Sequence, residues 1–222
     1  MTAAAEPVIR IVLESFRRVP YPGDPFLQGS FDGEEPYDEI RHFKGKSDWS
    51  ALEPAFLDAR YCALSFFSEA AFRFFVPAYI VADLRDALLT ADPAFHLTHG
   101  FAARSYRTET VGQETITWES GGPVPLNPRR YGAMRWMDHA RYRLSVFARE
   151  EAAAIVAYLR WRQKREGWVD QEEVRAIDAA IAGFWEERVR TAPTQAELEA
   201  HVERELANHA AWLRHRQSRP EA

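Results

Sequence analysis

A chain of 222 residues that is 46% hydrophobic and 13% aromatic is long enough for one large domain, or one domain with a smaller appended unit, and apolar enough for a sizeable core. It carries no apolar run of the ~18 residues that a membrane helix needs, and its single cysteine, Cys62, excludes an internal disulfide. The formal net charge of −5 argues against general nucleic-acid binding, and Met1-Thr2-Ala3-Ala4-Ala5-Glu6-Pro7 lacks the basic flank and apolar core of a secretory signal, so a soluble cytoplasmic protein is expected.

Pro7 suits the first turn of a helix, where its missing N–H costs nothing. Val8, Ile11, Val12, Phe16 and Val19 recur at three- and four-residue spacing, which predicts an amphipathic helix over residues 7–19. Pro20, Pro22 and Gly23 stop it. With Pro25, Gly29, Gly33, Pro36 and Gly45 following, residues 20–47 read as a long irregular loop, of a kind usually functional or pinned to a surface. Its acidic cluster, Asp32, Glu34, Glu35, Asp38 and Glu39, with His42 after it, offers ligands for a divalent metal. No calcium-loop spacing is present, and a solvated acidic loop is the simpler reading.

Trp49, Leu52, Phe56 and Leu57 predict a short helix over residues 50–59, capped by Ser47 or Asp48. Residues 61–67 read as extended. Ser68 then caps the most apolar segment of the chain, with Glu69 at its positive end. Phe72, Phe75, Val76, Tyr79, Ile80, Leu84 and Leu88 form its helical stripe. Pro77, inside it, predicts a kink or a break. Asp83 and Asp86 fall beside Arg85 on the wetter side, and Asp92-Pro93 closes the helix.

Thr108, Thr110, Val111, Thr115, Ile116, Thr117 and Trp118 flank Gly112, the pattern of a short β-hairpin. A turn-rich stretch, Gly121-Gly122-Pro123 and Asn127-Pro128, leads into Arg129, Arg130, Arg135, Arg141 and Arg143, interleaved with Tyr131, Trp136 and Tyr142. Arginines among aromatics suit stacking on bases and pairing with phosphates. The alternative is that they pair with acidic groups elsewhere in the chain, and no nucleic-acid signature accompanies them.

Residues 148–166 read as a helix with Ala152, Ile155, Val156 and Leu159 inward. Glu150 and Glu151 at its start, and Arg160, Arg162, Lys164 and Arg165 at its end, suit the helix dipole. Gly167 ends it. Asp170 and Glu173 resemble a capping box, and Val174, Ile177, Ile181, Phe184 and Trp185 line one face of the helix they open. Ala192-Pro193 turns the chain, Thr194 and Glu197 repeat the box, and Leu198, Val202, Leu206, His209 and Leu213 continue one face. Residues 168–217 therefore read as an αα-hairpin.

Charge is unevenly spread. Residues 1–60 hold 11 acidic and 7 basic groups, residues 61–167 hold 11 and 14, and residues 168–222 hold 11 and 7. A basic middle between acidic ends is expected to neutralise itself on folding.

Tyr21-Pro22-Gly23-Asp24, Trp49, Leu64-Ser65-Phe66, Phe72 with Pro77-Ala78-Tyr79, and the helix after Phe147 resemble the pattern of an uncharacterised bacterial protein family of unknown function. The likeness spans residues 8–160. Residues 100–140 look expanded against it and residues 168–217 look like an extension. The resemblance implies a shared fold. It implies no activity, cofactor or substrate.

No G-x-S-x-G, H-E-x-x-H, P-loop or dinucleotide-binding motif occurs. Asp92, His96 and His99 form a candidate metal set, against helix-end histidines bonded to the backbone. His201, Glu205 and His209 share a helix face that would suit zinc, or a solvated stripe. Cys62 is a candidate nucleophile beside these histidines, or a small buried hydrophobe. Tyr21, Asp24, Trp49, Tyr79 and Asp83 are the polar and aromatic groups attached to the core, and a pocket is sought where the 20–47 loop meets the central helix.

These readings combine into a mainly α fold with a small β element: a compact helical domain over residues 1–167, with long loops at 20–47 and 94–143, and a helical hairpin extension over 168–222. The leading expectation is a non-enzymatic interaction protein, inhibitor- or immunity-like, with no cofactor and no membrane contact. It would bind a protein partner or a second copy through the 168–217 hairpin. The alternatives are a metal-dependent enzyme using Asp92, His96 and His99, and an anion or nucleic-acid binder using Arg129, Arg130 and Arg135.

Overall fold

The computed structural model describes residues 5–101, 136–165 and 171–217, together with the backbone of 105–111, 114–120, 124–125 and 133–134. The chain is mainly α-helical. Helix α1 (Glu6–Phe16) buries Ile9, Val12 and Phe16. Ile11 is on its wet side, 44% exposed, because a spacing of three and then four from Ile9 defines a different stripe from the one expected.

The 20–47 stretch is more ordered than its proline and glycine content suggests. It holds a 3₁₀ turn (Asp24–Phe26), helix α2 (Glu35–Ile40) and a second 3₁₀ turn (Arg41–Phe43). Leu27, Ile40 and Phe43 are buried. The expected 50–59 helix divides into a 3₁₀ turn (Trp49–Ala51), capped by Asp48 accepting from Ser50 N–H, and helix α3 (Pro54–Asp58). The expected extended segment before Ser68 is instead the single turn α4 (Ala63–Phe66).

Helix α5 (Glu69–Leu84) is the axis of the molecule. Ser68 Oγ accepts from Ala71 N–H at 3.1 Å and donates to Phe26 O at 2.6 Å, tying the cap to the preceding loop. The helix continues through Pro77 without a break. Every residue from Phe74 to Leu84 is buried, so this part of the helix has no wet side, and Asp83 lies in the interior at 4% exposure. α1, α3, the Trp49 turn and helix α6 (Pro93–Thr98) surround it.

Its aromatic rings organise two clusters. Phe75 meets Phe43 at 4.9 Å and stacks on Phe67 at 5.0 Å. Phe72 meets Phe147 edge-on, and Phe147 reaches Phe16 and Trp185. Edge-to-face and offset contacts of this kind suit the ring quadrupoles.

Close packing demands a glycine at position 29. Its N–H donates to Phe66 O at 2.7 Å, and a Cβ at this position would sit 2.5 Å from Phe67 O. Only a residue without a side chain lets the loop lie against the start of α5.

Helix α7 (Trp136–Leu144) leads to α8 (Arg149–Gln163). Helix α9 (Gln171–Ala180), a π turn (Ile181–Trp185) and α10 (Glu186–Thr191) form one helical run, which packs on α6 and α8. Ile177, Ala180 and Trp185 join the core, and Trp185 Nε1 donates to Leu97 O at 3.0 Å. A π turn leaves one carbonyl without its helical partner, and Arg141 donates to Gly183 O at 2.6 Å. Helix α11 (Gln195–Gln217) follows. Elsewhere the backbone of Ser105–Val111 runs antiparallel to Glu114–Ser120. Gly112, the turn of the expected hairpin, lies outside the described residues.

Candidate interaction surface

The two buried carboxylates of the helical body, Asp83 and Glu151, are each matched by partners within the chain. Asp83 Oδ2 accepts from the Tyr158 hydroxyl at 2.6 Å, and both its oxygens accept from Arg162 Nη1 at 2.9 Å. Arg162 Nε donates to Glu173 at 2.7 Å. Arg165 reaches Asp83 at 3.4 Å and pairs with Asp86, whose φ of 55° ends α5 in the left-handed region. Burial and the Asp83 charge push the Tyr158 hydroxyl far above its ordinary range. Glu151 is fully buried, and its carboxylate accepts from Arg73 Nε at 2.8 Å, from Arg73 Nη2 at 2.6 Å and from Ala148 N–H at 3.0 Å. Buried charges matched this way brace α5 against α8.

The five core-attached candidates separate into four places. Tyr21 packs on Phe74 and Phe75 and donates to Asp24, which also accepts from Gly45 N–H at 2.8 Å. Burial and then the Asp24 bond raise the Tyr21 hydroxyl to about 12, and the Tyr21 and Gly45 donors lower the Asp24 carboxyl. Trp49 is buried against α5. The Tyr79 hydroxyl is held by Arg60 O at 2.9 Å. Asp83 belongs to the α8 network. Tyr21, Asp24, Tyr79 and Asp83 are thus each bonded within the chain, and Trp49 is packed in the core.

The metal candidates also face different neighbours. Asp92 caps α6 by accepting from Phe95 N–H at 3.1 Å, and its charge is felt by Tyr158 and Arg162. Burial first, and then the Arg143 charge and His99, pull the His96 imidazole down to about 3. His99 is lowered by burial and Arg143. A guanidinium beside both rings is adverse to a second cation. Among the described residues, no group of three or more His, Cys, Asp or Glu is placed to hold a metal. In the acidic cluster, Asp38 pairs with Arg41 at 3.3 Å and Glu39 with Arg60 at 3.6 Å. Cys62 is half-buried and bonded to Tyr61.

Arg129, Arg130 and Arg135 lie outside the described residues. Of the arginines that follow, Arg143 lies over the Phe72 ring at 4.6 Å and donates to Leu64 O. Arg141 serves the π turn.

Helix α11 is different. Its start is firmly built. Thr194 Oγ1 accepts from Glu197 N–H at 3.2 Å, and Glu197 accepts from Thr194 N–H at 2.7 Å, the reciprocal bonds of a capping box. Glu150 accepts from Gln195 N–H at 3.0 Å, and Arg73 donates to Gln195 Oε1 at 3.0 Å. Partial burial continues to residue 200, where Arg18 pairs with Glu199 at 3.5 Å, and then ends. Residues 201–209 and 211–214 are all exposed. Val202 is 54% exposed, Leu206 65% and Leu213 40%. At ~100° per residue these three and His209 fall within an arc of about 60°. The 23 residues extend roughly 34 Å and carry an apolar stripe with nothing of the described chain over it. Sequence pattern revealed the stripe. It did not reveal that the stripe faces outward, since core-facing and partner-facing stripes read alike.

Among the described residues, no helix is long and apolar enough to cross a membrane. Comparison with models of known protein families, with curated proteins and with solved structures found no match.

Proposed function

We propose that this chain is a non-enzymatic protein-interaction module of the inhibitor or immunity type, which engages a protein partner or a second copy through the exposed face of α11. One observation carries the reading: Val202, Leu206 and Leu213 stand exposed on a helix whose base is fixed by a capping box and by Glu150 and Arg73. Apolar groups aligned on an outward helix favour docking, in the helix-in-groove mode. The bonds that Asp83 and Glu151 make inside the body agree with an interior that braces the fold. The finer architecture that goes with this reading is a helical body that takes in residues 171–191, since Ile177, Ala180 and Trp185 belong to its core and not to an extension, with a small β element near 105–120 and α11 as the projecting element.

The test is a photo-cross-linking residue placed at Leu206 in the full chain, with the same residue at the 95%-exposed Leu89 as control. The expected result is a discrete protein adduct from position 206, absent from position 89 and lost when Val202→Glu is added. No protein adduct from position 206 would overturn the reading.

A further inference from the structure

We infer that the occupant of this stripe is the same helix of a second copy of the chain, lying antiparallel, an inference that rests on reading α11 as a docking helix. Val202, Leu206, His209 and Leu213 are spaced four, three and four residues apart. That is the alternation of a two-helix seam, narrower than the stripe of a core helix. It also reads the same from either end. A two-fold axis through the middle of the stripe sets Val202 opposite Leu213 of the second copy and Leu206 opposite His209, so every seam position meets another seam position. Such self-complementarity is what a two-fold interface requires.

Charge selects the same orientation. The first half of α11, residues 195–205, carries Glu197, Glu199, Glu203 and Glu205 against Arg204 alone. The second half, residues 206–217, carries Arg214 and Arg216 and no acidic residue. Antiparallel pairing lays the acidic half of each helix along the basic half of the other. Parallel pairing sets like against like, which costs stability and specificity. His209, polar in an otherwise apolar seam, fixes the register. The anchored base of α11 holds the helix out from the body so that two bodies can sit at opposite ends of the pair.

The experiment weighs the full chain by sedimentation equilibrium and maps the pairing with cysteines. The expected mass at micromolar concentration is twice the 25.5 kDa of one chain, falling to one chain in Leu206→Glu with unchanged circular dichroism. In a Cys62→Ser background, chains with Val202→Cys mixed with chains with Leu213→Cys form a disulfide-linked pair, and neither variant does so alone. A single-chain mass at every concentration, a dimer indifferent to Leu206→Glu, or a disulfide formed by Val202→Cys alone would each overturn the inference. An adduct from position 206 to a different protein, with a monomeric chain, would leave the docking function standing and remove the self-pairing.

Discussion

Asp83 shows how much of this fold rests on single buried charges. Its carboxylate holds Tyr158 and Arg162 together in a place where water cannot replace it. Asp83→Ala leaves the Tyr158 hydroxyl without its acceptor and the Arg162 guanidinium with Glu173 alone, at a cost of about 3 kcal/mol. The expected result is a large fall in the urea midpoint of unfolding. A change below about 1 kcal/mol would show that the network is dispensable. His96 carries a pH dependence. Its imidazole is held down to about 3 by burial, Arg143 and His99, whereas in the unfolded chain it titrates near ~6.5. Between those values the unfolded state binds the proton and the folded state does not. Stability is therefore full above pH ~6.5 and declines as pH falls, by up to ~1.4 kcal/mol per pH unit. His96→Gln removes this component, so the urea midpoint of the variant should fall less steeply from pH ~6.5 to ~4 than that of the parent chain. Parallel slopes would refute it.

At the scale of elements, local signals were legible and long-range ones were not. Ser68 as a cap and Thr194 with Glu197 as a capping box follow from short side chains at helix starts, and the structure has both. The apolar face of α8 was equally plain from Ala152, Ile155 and Leu159. The surroundings of α5 were not, because Arg73 and Asp83 look like solvent markers in sequence and find their partners, Glu151 and Arg162, 78 and 79 residues away. The 20–47 stretch was misjudged for a related reason. Its glycines and prolines mark turns truthfully, but Leu27, Ile40 and Phe43 between them are too sparse for a periodic signal, and they anchor the stretch to the core. Gly29 tests that anchoring. In Gly29→Ala the new methyl meets Phe67 O and Ser68 N, fixed backbone that must move, so a loss of about 1–3 kcal/mol is expected. Thermal unfolding no different from the parent would show that the loop shifts freely.

Across the whole molecule, the basic middle and acidic C-terminal part do meet. Arg162 pairs with Glu173, Arg160 with Glu186 and Arg141 with Glu187. The last two pairs are largely exposed and contribute little individually, whereas the buried pairs are poorly reached by salt. Raising salt from ~0.05 to ~0.5 M should therefore leave the unfolding midpoint nearly unchanged while shifting the proposed dimer toward monomer. Sedimentation and urea titration at the two salt levels separate these effects, and a dimer tightened by salt would contradict the charge argument. The outward course of α11 has a consequence for proteolysis. A helix whose residues 201–209 and 211–214 are all exposed opens locally at little cost. Arg204 and Arg214 are both exposed on it. Trypsin should cut first at these two bonds, trimming the helix back toward its capped base while the braced body survives. The cutting rate should fall as chain concentration rises, making it a direct gauge of the fraction of helix that has found a mate.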